Sequence, residues 1–316
     1  MTRTLSLATL LALSACVIDD GSTAGETDLD SLIEVLPDDR VLVNMPTDDD
    51  STTARAELGE WSEFYLVTAD ATDSVNGLIG SVLRTVDAIV HSPPTSFDRA
   101  AMAATWGPFS DTLDPVDTML YVERDADTGL TTWVFLQKSK GVDDAEWIPV
   151  IAGEVDPGAT RIASSGRFVI DFTQMHELDP TTDQLGVFWS EYDIAPDLVS
   201  ATAAVDEWQN LVIDDQPTAA AYVYAQTPDG DGHMDLAWED DYLGDGEMDV
   251  YVLRSRWDAT GAGRGDAVLA EGGDELVGAV TECWDDSFAL VYRADTWEGS
   301  VGEVHDCVYT EPDYAE

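Results

Sequence analysis

The chain has 316 residues, 64 of them acidic and 14 basic, giving a formal net charge of −50 and an isoelectric point near 4.1. Such a charge repels phosphate backbones and excludes nucleic acid as a partner. Hydrophobic residues at 44% and 10 tryptophans exclude a disordered acidic chain, which has few aromatic residues to bury. The acids are spread along the whole length, the pattern of a solvated acidic surface, and a folded body of about 270 residues stabilises itself without a metal.

Met1-Thr2-Arg3 is a short charged start, and residues 5–13 are an apolar stretch broken only by Ser6 and Thr9. It spans about half of a bilayer core, too short for a transmembrane helix and right for a secretory signal. It ends in Leu13-Ser14-Ala15-Cys16. These residues resemble the lipobox of bacterial lipoprotein precursors: a branched apolar residue, two small residues that fit a narrow protease subsite, then the cysteine. The resemblance implies cleavage after Ala15 and a thioether-linked diacylglyceryl group on Cys16. Two or three acyl chains, at about 0.8 kcal/mol per buried CH₂, anchor a protein firmly. The expected location is thus the cell envelope, with the membrane as a partner through the N-terminal lipid. In Gram-negative lipoproteins an Asp directly after the cysteine favours the inner membrane, so Val17 points to the outer one.

Residues 16–39 carry Asp19, Asp20, Glu26, Asp28, Asp30, Asp38 and Asp39 without a basic residue, which predicts a flexible, self-repelling tether. Residues 40–316 are expected to form one β-rich domain, opening on a strand at 41–45. A helix is predicted over 72–90, where Val75, Leu78, Ile79, Val82, Val86, Ile89 and Val90 fall on one stripe. Thr72 or Asp73 caps its start, and Pro93-Pro94 stop the chain after its end. Its polar face lacks the Lys and Arg enrichment of a membrane-surface helix, so it is expected to pack on a sheet. From Val116 onward the pattern is short β-rich runs, with strands predicted at 118–123 and 131–138 around the turn Asp125-Ala126-Asp127-Thr128-Gly129. Further strands are predicted near 147–152, 161–172, 185–192, 220–226, 248–257, 267–270, 277–283 and 288–293. The fold class that follows is mainly β: one curved antiparallel sheet, barrel-like or a sandwich, with one amphipathic helix packed on it.

With Cys16 lipidated, Cys283 and Cys307 remain, a pair expected to form one disulfide that clips the polar C-terminus onto the last strands. Two free thiols are the alternative. Neither cysteine sits in a CxxC motif or beside paired histidines, so zinc is not indicated.

Pro228-Asp229-Gly230-Asp231-Gly232-His233-Met234-Asp235, echoed by Gly244-Asp245-Gly246-Glu247-Met248-Asp249, resembles the Asp-rich calcium loops of EF-hand-like repeats. That resemblance makes Asp229, Asp231 and Asp235 candidate Ca²⁺ ligands. Thr227 stands where the leading Asp belongs, and no bidentate Glu follows, so plain Asp-Gly turns are the alternative reading. Arg264-Gly265-Asp266 spells an adhesion tripeptide, but an arginine scarce in this chain and pairing with its acidic surroundings is the simpler reading. Trp106-Gly107-Pro108, Ser255-Arg256-Trp257, Gly261-Ala262-Gly263-Arg264, Gly272-Gly273-Asp274 and Glu282-Cys283-Trp284, in that order, resemble uncharacterised acidic lipoproteins of myxobacteria over roughly half of the chain. That likeness implies placement in the envelope and no particular activity.

Catalytic patterns are missing from the sequence. His91, His176, His233 and His305 have no HExxH spacing, and there is no GxSxG elbow or P-loop. The function expected is a lipid-anchored binding or structural protein, its partner an envelope protein, a polymer or a hydrophobic ligand. A secreted hydrolase using carboxylates or calcium is the alternative. Among 64 acids any carboxylate pair arises by chance, so the pattern does not single one out.

Overall fold

The computed structural model describes residues 23–46, 57–141, 146–160, 162–212, 217–241, 246, 248–271 and 275–314. Its strands are β1 Ser96–Asp98, β2 Ala103–Phe109, β3 Val116–Arg124, β4 Thr131–Ser139, β5 Ile148–Val155, β6 Ser164–Asp171, β7 Gln184–Ile194, β8 Val199–Asn210, β9 Thr218–Gln226, β10 Gly232–Asp240, β11 Asp249–Trp257, β12 Gly263–Glu271, β13 Glu275–Trp284, β14 Leu290–Asp295 and β15 Gly299–Gly302. They form one antiparallel 15-stranded sheet in which each strand pairs with the next in sequence. The sheet does not close, and its edges are short, three residues in β1 and four in β15. Short edges limit pairing with another chain. Among the described residues three α-helices accompany it: α1 Thr23–Ile33, α2 Glu63–Val90 and α3 Phe172–Leu178.

Helix α2, 28 residues and about 42 Å long, packs on the sheet. The start of α2 meets Glu282 on β13, and Ser92, just beyond its end, accepts the indole N–H of Trp106 on β2 at 2.9 Å. One core cluster joins Ile79, Leu83 and Val86 of the helix to Trp106, Trp133, Phe168 and Tyr222 of the sheet. Its inner wall uses a recurrent device in which a tryptophan lies across a glycine of the neighbouring strand. The pairs are Trp133 with Gly153, Trp257 with Gly232, and Trp284 with Gly263. A Cβ on these glycines would sit 2.2, 2.7 and 2.3 Å from the indole.

Helix α2 begins at Glu63, nine residues before the predicted start. Its N-cap is Ser62, whose hydroxyl accepts from the Tyr65 N–H. Phe64, Tyr65 and Thr68 extend the apolar stripe backwards, and Thr72 is a buried member of it. The stretch predicted as a tether contains a helix where it is described. From Thr23 it forms α1, and Leu32, Val35 and Leu36 are buried in the core. The acids around these residues mask their helical spacing with Leu29 and Ile33. Residues 1–22, including the lipobox and Cys16, lie outside the described residues.

Residues 41–45, predicted as a strand, join no sheet. Val41, Val43 and Met45 are buried, and side chains replace a strand partner. Asn76 of α2 bonds both the N–H and the C=O of Val43 at 2.8 Å, while Tyr224 and Gln226 of β9 satisfy Asn44. Strands β1, β2, β8, β10 and β15 went unpredicted. β8 is rich in Ala, Ser and Thr, and β10 begins inside the segment read as a calcium loop.

Candidate functional site

Side chains alternate along β10–β13. Met234, Leu253, Ser255, Ala267 and Glu282 are buried toward α2 and the core. The residues between them make two rows across the opposite face. Asp235, Arg254, Asp266 and Thr281 stand in register in one row, and His233, Arg256, Arg264 and Cys283 in the next. Arg256 and Arg264 are thus directly opposed, a repulsive pair in isolation. Asp266 lies between them: it accepts from Arg264 Nε at 2.9 Å and Thr281 Oγ1 at 2.6 Å, and Arg256 Nη2 lies at 3.4 Å.

The C-terminal segment covers this face. The Cys283–Cys307 disulfide, Cα–Cα 5.4 Å with a sequence separation of 24, brings it there. Arg264 Nη1 donates to the carbonyls of Tyr309 and Thr310 at 3.1 Å, and Arg256 Nη2 to that of Glu311. The Asp313 N–H donates to Asp266 Oδ2 at 2.8 Å, and Arg254 Nη1 donates to the Asp313 carboxylate at 2.8 Å. The Thr281 hydroxyl is spent on Asp266, so at Tyr314, 2.9 Å away, the phenol is the donor. The Arg256 guanidinium lies over the Tyr309 ring, 5.1 Å from its centroid. Burial raises the Tyr309 phenol above its ordinary pKa, and the charges of Asp231 and Asp258 push the same way, so it stays neutral. Under this cover Arg264 and Asp266 are 2% and 1% exposed.

Beside the segment a cleft of about 490 Å³ stays open, lined among others by His233, Arg254, Arg256, Tyr309 and Asp313. Another depression, of about 590 Å³ over β5–β8, offers Arg167 amid Glu154, Asp156, Glu191 and Asp193. It lacks the gathering of cations.

The candidate calcium ligands do not converge. Asp229 is exposed in the β9–β10 turn, and Asp231 Oδ1 accepts from the Ala259 N–H, tying that turn to the one after β11. Asp235 lies about 13 Å further along β10, with its carboxylate on Arg254 Nε and Nη2 at 3.0 and 2.9 Å. Among the described residues no three His, Cys, Asp or Glu side chains gather as a metal site. Of the second loop, residues 242–245 and 247 lie outside the described residues, as do 272–274. The Arg264-Gly265-Asp266 tripeptide is a strand segment whose two charged side chains are buried, so it offers no adhesion loop. The histidines are dispersed: His91 and His176 sit by backbone carbonyls, and His305 lies near Asp306.

On the inner face, Glu282 receives the N-terminus of α2. Its carboxylate accepts from Ser62 Oγ at 2.7 Å and the Phe64 N–H at 3.0 Å, with Arg293 Nη1 at 2.9 Å. The segments around Ser255-Arg256-Trp257, Gly263-Arg264 and Glu282-Cys283-Trp284 therefore build both faces of this region. Comparison with protein families, curated proteins and solved structures finds no match to this chain.

Proposed function

We propose that the chain is a lipid-anchored envelope protein that acts by binding, and that it recognises its partner on the arginine-bearing face of β10–β13. The observation that carries the binding reading is the gathering of Arg254, Arg256 and Arg264 on two adjacent strands, in a chain with only 14 basic residues. The anchor rests on Leu13-Ser14-Ala15-Cys16. Six residues lie between Cys16 and Thr23, the start of α1, so the lipid reaches at most about 25 Å from the body. Helix α1 meets the early strands, with Asp28 3.2 Å from Arg99 and the Ser31 carbonyl accepting from Arg124. The arginine face lies seven strands and more along the sheet from β3.

A carboxylate hydrolase has one observation in its favour, the meeting of Asp235 and Asp313 in the cleft. Both are bonded to Arg254, whose guanidinium occupies the space where a scissile bond would lie, and this ranks binding first. The anchor is tested by labelling with palmitate and fractionating cells. Wild type is expected to carry label and sediment with outer membranes, and Cys16→Ala to be unlabelled and soluble. Label persisting in Cys16→Ala overturns the anchor.

A further inference from the structure

The contacts of residues 309–314 are those of a bound peptide. Their polar contacts with the sheet run through three main-chain carbonyls, one main-chain N–H, one carboxylate and one phenol. The segment has little apolar burial, since Thr310, Glu311, Pro312 and Tyr314 are exposed. It is held by hydrogen bonds, by ion pairs at half-buried arginines, and by the disulfide at Cys307. The sheet's own charges on this face are three arginines against Asp235 and Asp266, which leaves one positive charge for Asp313 to neutralise. Lifting the segment would leave Arg264 Nη1 unpartnered, Arg256 Nη2 with only its 3.4 Å contact to Asp266, and Asp266 Oδ2 with only the two arginines, a ready set of donors and an acceptor. That set matches the C=O and N–H groups of an extended chain ending in an acid.

The geometry points to a peptide groove on β10–β13 that the protein's own C-terminus fills in cis. In trans it takes an acidic segment of a partner protein with the same pattern, acid–Pro–acid–aromatic. This rests on the binding reading of the arginine face and adds the class of partner. The disulfide sets the competition. With Cys307 tied to Cys283, the cis segment stands at millimolar effective concentration or above, and a free peptide loses to it.

The test uses fluorescein-labelled Tyr-Thr-Glu-Pro-Asp-Tyr and fluorescence anisotropy, on full-length chains. Wild type and the Cys307→Ser/Asp313→Ala double variant are compared, the latter freeing the cis segment at its tie and at its ion pair. The double variant is expected to bind at least about ten-fold more tightly than wild type, the scale on which loss of a tether acts. Adding Arg254→Ala to it should remove the gain, as should Gln and Asn in place of the peptide's two acids. If the double variant does not melt cooperatively, wild type treated with a dithiol reductant takes its place. An opened, folded chain that binds no better than wild type overturns the proposal, as does binding indifferent to Arg254→Ala. Dimerisation of the opened chain in sedimentation would seat a second copy's C-terminus in the groove and overturn the assignment to a partner protein. Failure of palmitate labelling would remove the anchor and leave the groove standing, so the two readings fail separately.

Discussion

Glu282 has no exposed surface, and the environment that holds α2 to the sheet also sets its charge. Burial raises its pKa above the ordinary 4.5, outweighing the hydrogen bonds from Phe64 N–H and Ser62 and the attraction of Arg293. Between the unfolded value and the raised one, the folded chain holds the proton that the unfolded chain has released. Stability contributed by this group is therefore present below pH 4.5 and is lost as pH rises through the raised value. Ionisation of the other acids weakens a chain of net charge −50 over the same range, so the slope of wild type alone does not isolate Glu282. The difference from Glu282→Gln does. Urea denaturation from pH 4 to 7 should show wild type losing stability more steeply than the variant. Parallel curves would mean that the carboxyl keeps its ordinary pKa in the fold, Arg293 and the helix N-terminus offsetting its burial.

At the scale of an element, two glycines with opposite expected effects separate helix propensity from sheet packing. Gly77 lies inside α2 with nothing within 4 Å of a would-be Cβ, so Gly77→Ala should stabilise by about 1 kcal/mol. Gly263 opens β12 beneath Trp284, where a Cβ would lie 2.3 Å from the indole and 2.6 Å from the Arg256 carbonyl. Gly263→Ala must displace the ring that donates to the Gly261 carbonyl, and should cost about 1–3 kcal/mol. Melting temperatures of the two variants should move in opposite directions; a stabilising Gly263→Ala would mean that Trp284 is not fixed by its neighbours. The same contrast explains what the sequence reveals of the elements. The stripe from Val75 to Val90 is a plain 3.6-residue pattern, and it appears as predicted. The first turns of α2 are hidden because Phe64, Tyr65 and Thr68 read equally well as strand residues, and the decisive cap, Ser62, is one hydroxyl among many. α1 is hidden because its apolar positions are few and surrounded by Asp.

For the molecule as a whole, the disulfide follows from counting cysteines, but the arginine face does not follow from any count. Arg254, Arg256, Arg264 and Asp266 alternate along two strands, and only cross-strand register sets Arg254 between Asp235 and Asp266 and Arg256 against Arg264. That register depends on hairpin geometry and on which side of the sheet faces α2. These local ion pairs form within a long-range field of the opposite tendency, the mutual repulsion of 64 acids around 14 bases. The two respond differently to salt. Raising ionic strength from 0.01 to 0.15 M shortens the Debye length from about 30 to about 8 Å, which screens charges spread over the surface far more than Arg264 and Asp266 in contact under cover. Stability should therefore rise with sodium chloride, by on the order of 1 kcal/mol, or roughly 2–4 °C in melting temperature for a body of this size. Calorimetry across that range decides it. A melting temperature that falls with salt would mean that the arginine network outweighs the repulsion of the whole surface, and that the covered face is the main electrostatic support of the fold.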